Sequence, residues 1–172
     1  EKEIEENRSV YGDLKIVYRP HPWRARRKSF DHFIPEEYKN IRLDKQMEEA
    51  YLTHRMSKAG FQPDLSYYPR LLKNCLFTIC PLSTMMLESL VCDKDVLAIA
   101  YDDFVHPTAP CHVYANYKHF EGVEKLRGVL FCNESNLLGN KLRELFYAQR
   151  AKDVSRYDDV SYFVYRDERS YN

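Results

Sequence analysis

The chain has 172 residues, enough for one domain with a sizeable buried core. Its 26 basic and 26 acidic side chains cancel, which argues against a general nucleic-acid binder, because such proteins need a basic excess to meet the phosphate backbone. Hydrophobic residues at 44% and charged residues at 30% suit a soluble globular protein, no apolar run reaches the length of a membrane span, and no signal-peptide pattern is visible.

In chain order, residues 2–11 read as a helix closed by Gly12, and a chain that opens inside a helix without an initiator Met predicts a fragment of a larger protein. A strand follows at 14–18. Residues 19–39 form an irregular loop rich in Pro and basic residues, and 41–43 is a short strand candidate. Asp44 can cap a helix running through Met47, Ala50, Tyr51 and His54 and ended by Gly60. After a loop at 61–65, Ser66 can cap a helix with Pro69 in its first turn and Leu71, Leu72 and Cys75 on one face. Then come a strand at 76–80, a helix at 84–92 and a strand at 95–101. A long loop covers 102 to about 121. A helix at 121–127 leads through Gly128 to a strand at 129–132. Asn133 or Ser135 caps a final amphipathic helix carrying Leu138, Leu142, Leu145 and Phe146.

Strands alternating with helices at this spacing imply an α/β fold with a parallel sheet covered on both faces. The runs 76–80 and 96–100 lack polar alternation, as a doubly covered sheet requires. Residues 1–150 read as one such domain. The tail 151–172 holds Tyr157, Tyr162, Phe163, Tyr165 and Tyr171, too many aromatics for a solvated segment, and is expected to pack on this domain or on another. Five cysteines without a CxxC pair read as buried free thiols in a reducing compartment.

Two places carry chemistry. The first is Arg19-Pro-His-Pro22, where two prolines hold His21 just past a strand end. A rigid imidazole there can donate hydrogen bonds to a phosphate, and its charge state responds to the ligand, although a chance His in a surface loop would look the same. Arg19 and Arg24 flank it. The second is the strand at 76–80 ending in Pro81-Leu82-Ser83-Thr84. A strand that turns into a helix aims free backbone N–H groups at one point and attracts anions. Ser83 and Thr84 are therefore candidate phosphate ligands, although a plain N-cap would look the same. Glu88 shares a helix face with Thr84 and could accept the two hydroxyls of a ribose, or be an ordinary exposed carboxylate near the helix dipole. Asp102-Asp103, paired acids at a strand end, could bind a sugar or a metal, but reads as solvated loop or cap. His106, His112 and His119 lack metal-ligand spacing, so no metal site is expected. The basic run 24–28 could meet an anionic acceptor or membrane phosphates, or be a solvated loop. There is no GxGxxG, Walker A or GxSxG pattern, and five glycines make no glycine-rich cradle.

The order of these features resembles the C-terminal, nucleotide-sugar-binding half of a GT-B glycosyltransferase. The likeness is to the HP-motif group of polysialyltransferases, capsule Kdo transferases and CDP-glycerol glycerophosphotransferases. His21-Pro22 matches the first motif, Ser83-Thr84 the second, and Glu88 the ribose-binding carboxylate. Over residues 14–135 the resemblance implies a Rossmann-like donor domain whose first strand lies upstream of residue 2. It implies transfer of a sugar, or sugar-like group, from an activated nucleotide to a surface glycan. His21 would be catalytic, and Arg19, His21, Ser83, Thr84 and Glu88 would bind nucleotide and phosphate. No cofactor and no metal are implied, the nucleotide-sugar being substrate. The acceptor, a glycan or a lipid-linked one, and the general base would come through a missing N-terminal domain. The location implied is cytoplasmic, with peripheral contact at the inner membrane face as an option. Lys94-Asp95-Val96 stands where the family has Gly-Lys-Pro. A nucleotide-sugar 2-epimerase of the same architecture and a non-catalytic interaction domain are the competing readings.

Overall fold

The computed structural model describes residues 1–20, 37–52, 64–102, 104 and 110–149. Arg24 and the rest of the basic loop, His54, Gly60, Asp103, His106 and the aromatic tail lie outside the described residues. The chain divides into two compact units, Glu1–Asp64 and Leu65–Asn172.

In the first unit, the expected opening helix is two short ones, α1 (Lys2–Glu6) and α2 (Arg8–Tyr11). Asn7 interrupts them at φ −123°, and its side chain donates to the Glu3 carbonyl, competing with the helical ladder. Gly12 closes the segment at φ +59°, a conformation free of Cβ strain only for glycine. Strands β1 (Ile16–Tyr18) and β2 (Ile41–Leu43) pair in parallel. Helix α3 (Lys45–Leu52) follows, capped by Asp44, whose Oδ1 accepts from the backbone N–H groups of Gln46 and Met47, both at 3.1 Å. Asn40 is fully buried just before β2, and its side-chain oxygen Oδ1 accepts from Lys15 Nζ at 2.9 Å and from Arg8 Nη2 at 3.2 Å.

The second unit starts with α4 (Tyr67–Asn74) and continues as β3 (Phe77–Pro81), α5 (Thr84–Val91) and β4 (Asp95–Ile99). Next come α6 (Pro110–Asn116), β5 (Val129–Cys132) and α7 (Leu138–Ala148). The sheet order is β3-β4-β5, all parallel. Because side chains alternate across a strand, the register assigns the two faces. Cys80, Val96, Ala98, Val129 and Phe131 pack with Met86 and Leu90 of α5 and with Phe120, Val123 and Leu126 from the β4–β5 connection. The opposite face carries Leu97 and Cys132 and is covered by α7, which buries Leu142, Leu145 and Phe146 and sends Gln149 to the Asp95 carboxylate. This unit is thus an α/β layer with helices on both faces, as the sequence predicts.

Val96, Leu97 and Ala98 of β4 are fully buried, and burying each of the two larger side chains contributes about 1.5–3 kcal/mol. The β3 strand has β4 on one side only among the described residues, and leaves Ile79 42% exposed. Two hydroxyls lock it to α5: Thr78 Oγ1 donates to Ser89 Oγ at 3.0 Å, and Ser89 Oγ donates to the Met85 carbonyl at 2.7 Å.

Two expectations differ from the structure. The helix expected at 121–127 is only a 3-10 turn at Val123–Lys125, because Gly122 at φ +91° breaks the backbone course. The expected long loop contains α6 instead, with Pro110 at its first position, where the missing N–H costs nothing.

Candidate phosphate site

The second unit places Ser83 and Thr84 where β3 gives way to α5. Ser83 sits at the N-cap position in extended backbone (φ −158°, ψ 168°), yet its side chain makes no capping hydrogen bond. The ordinary cap reading of Ser83 therefore does not hold, and the N–H groups of Thr84 and Met85, in the first turn, have no intrahelical partner to satisfy them. Thr84 and Glu88 are both exposed and lie one turn apart, while Met86, Ser89 and Leu90 fill the buried side of α5. A helix start at the carboxyl end of a parallel strand, with N–H groups and a threonine hydroxyl outward, can receive an anion.

Burial pushes the Cys80 thiol up to about 12, with a Ser83 hydrogen bond working weakly the other way. Burial likewise raises Cys92 and Cys132. All five cysteines are free, with Cys80 and Cys132 buried and Cys75, Cys92 and Cys111 half-buried.

In the first unit, Arg19 follows β1 directly. Its guanidinium forks onto Asp44 Oδ1 at 2.6 Å and Gln46 Oε1 at 2.9 Å, with the Arg19 side chain 11% exposed and that of Asp44 fully buried. Two of the five donors expected to meet phosphate are thus committed to tying the end of β1 to the start of α3. His21 and Pro22 lie outside the described residues. Arg19 belongs to the first unit and Ser83, Thr84 and Glu88 to the second.

One cluster escapes the sequence reading. Among the described residues, Asp102, Cys111 and His112 bring a carboxylate oxygen, a thiol and a ring nitrogen within 4.8 Å of one another. The expectation of no metal site rests on the spacing of three histidines, whereas here neighbouring residues of different type converge on an aspartate nine positions earlier. A Cys-His dipeptide at a helix start, downstream of an Asp at a strand end, is the only sequence signal.

No helix among the described residues is long and apolar enough to cross a membrane. The chain matches no protein-family model, no curated protein and no solved structure.

Proposed function

We propose that the chain is the donor-binding part of a glycosyltransferase that moves a sugar, or sugar-like group, from an activated nucleotide to a glycan acceptor. The observation that carries this reading is the Ser83–Thr84 turn. It opens α5 at the carboxyl end of β3 in a parallel sheet, with the Ser83 hydroxyl unused for capping. The His21-Pro22 and Ser83-Thr84 motifs and their order support it.

Breaking a sugar–phosphate bond leaves new negative charge on the nucleotide phosphate. The α5 amides and Thr84 hydroxyl meet that charge with dipoles already oriented; the part given to His21, a hydrogen-bond donor that can carry positive charge, rests on the His-Pro motif alone. Glu88, exposed one turn beyond Thr84, accepts the ribose hydroxyls. Arg19 is a positioning residue: its fork on Asp44 and Gln46 fixes the backbone two residues before His21. The acceptor and the general base come from another part of the parent protein.

A thermal-shift screen against CMP, CDP, UDP, GDP and ADP tests this reading, since a ligand that binds only the folded state raises the melting temperature. The expected result is a shift with one nucleotide class that shrinks in both His21→Ala and Thr84→Val while their ligand-free melting temperatures hold. A shift with none of the five, or one unchanged in both variants, removes the site.

A further inference from the structure

The Asp102–Cys111–His112 cluster has the chemistry and the support of a metal site. Asp102 leaves the carboxyl end of β4, three residues past Ile99. One of its oxygens, Oδ1, accepts the Phe104 backbone N–H at 2.7 Å, and the other, Oδ2, lies 3.9 Å from His112 Nε2. Phe104 takes φ +57° at that point, an uncommon backbone state for a non-glycine residue. The carboxylate is thereby held in one orientation from outside the cluster, as an outer-shell hydrogen bond holds a metal ligand. Cys111 and His112 come from the first turn of α6. That helix is fixed from the other side: Val113 packs against the α5-face core, and the Tyr114 ring lies 5.6 Å from that of Phe131 on β5.

We propose that Asp102, Cys111 and His112 bind a zinc ion at the carboxyl edge of the three-stranded sheet, with water completing the coordination. One oxygen, one sulfur and one imidazole nitrogen make a mixed set that suits a borderline ion. Magnesium and calcium take oxygen ligands alone. Bond lengths of about 2.0–2.3 Å to a tetrahedral zinc place its ligands about 3.3–3.7 Å apart. The three groups all lie within 4.8 Å of one another, and the Asp102–His112 pair at 3.9 Å, close to that separation. Half-buried Asp102 and Cys111 back the ion, and exposed His112 faces solvent and closes over it. Three protein ligands with an open fourth position is the pattern of a zinc that holds a water or an exchangeable oxygen ligand. On binding, the Cys111 thiol becomes a thiolate and its proton goes to solvent, so uptake of one zinc releases one proton.

The test uses the full 172-residue chain under reducing conditions. Zinc is titrated against a chromophoric chelator, cobalt is titrated as a spectroscopic stand-in, and proton release is followed in weak buffer. The expected result is one tight equivalent of zinc, about one proton released per zinc, and a thiolate-to-cobalt charge-transfer band. Cys111→Ser abolishes the band, and His112→Ala and Asp102→Asn each weaken zinc by at least about tenfold. Cys92→Ser, which alters another half-buried thiol, keeps both band and affinity. Circular dichroism of each variant establishes that it is folded. A band that survives Cys111→Ser, or zinc binding that is absent or too weak to compete with the chelator in the folded wild-type chain, overturns the proposal.

Discussion

Arg19 Nη1 stands 2.6 Å from Asp44 Oδ1, the same oxygen that caps α3 through the amides of Gln46 and Met47. One carboxylate atom thus joins the end of β1 to the start of the next helix. Asp44→Ala removes a cap and leaves a largely buried guanidinium without its carboxylate, so a loss of about 3–5 kcal/mol is expected in the Glu1–Asp64 unit. Asp44→Asn keeps an oxygen for the cap and should cost clearly less. Urea unfolding, with hydrogen exchange at the Gln46 and Met47 amides, separates the two effects. Arg19→Lys cannot reproduce the fork and is expected to lose about 1 kcal/mol. Any fall in nucleotide affinity in Arg19 variants therefore has to be compared with their stability before it is ascribed to phosphate contact.

The Cys80 thiol gives the second unit an alkaline limit. Its folded-state value of about 12 lies above the 9.0 of a free thiol, so the neutral form is the folded one. Its contribution to stability is complete below pH 9 and is lost as pH rises towards 12, because the unfolded chain gives up the proton first. The slope approaches about 1.4 kcal/mol per pH unit within that window. Cys80→Ala should flatten the fall of melting temperature between pH 9 and 11, at the expense of a small cavity. Native Cys80 should also resist alkylation at pH 8 and react once the chain is unfolded.

Thr78 and Ser89 test the value of a buried hydroxyl pair. Ser89→Ala removes the acceptor for Thr78 and should cost about 1–2 kcal/mol, and Thr78→Val about 1 kcal/mol. The double variant should cost less than the sum, because it leaves neither polar partner stranded. Strict additivity in a double-mutant cycle would mean that the two hydroxyls do not depend on each other.

Asp93 ends the turn after α5 at φ +58°, with its N–H on the Leu90 carbonyl. An L-residue there carries strain of about 1–2 kcal/mol that glycine escapes. Asp93→Gly should hold or raise the melting temperature of the unit, and Asp93→Val should lower it, since a β-branched side chain crowds that backbone most. A neutral Asp93→Val would contradict the left-handed turn.

Sequence patterns of buried strands were the most legible part of this fold. The strands at 41–43 and 129–132 fall where they are expected, and 77–81 and 95–99 within two residues, and in β4 the reason is plain: burial on both faces demands the continuous apolar run Val96-Leu97-Ala98. Caps were less legible. Asp44 caps as expected, but Ser66 accepts from Arg70 Nη2 instead and Ser83 makes no capping bond, since a hydroxyl at the right position still chooses among nearby partners. Short turns at 118–126 escaped because helical propensity says nothing about a left-handed Gly122. The Asp102–Cys111–His112 cluster escaped because its convergence depends on where a loop returns, which no spacing rule records. The strand-to-helix break at Ser83-Thr84 was legible, whereas the commitment of Arg19 to Asp44 was not.

The outer edge of β3 has a consequence for handling the protein. Among the described residues nothing pairs with the outer side of β3, a parallel strand that offers N–H and C=O groups there, and beside it Leu76 is 51% and Ile79 42% exposed. Pro81, which has no N–H to offer, blunts one end. A second copy laid along this edge would find both backbone partners and apolar cover, so the Leu65–Asn172 unit expressed by itself should lose solubility with rising concentration. Ile79→Lys, a charge set on that rim, should restore it while leaving β4 and β5 untouched.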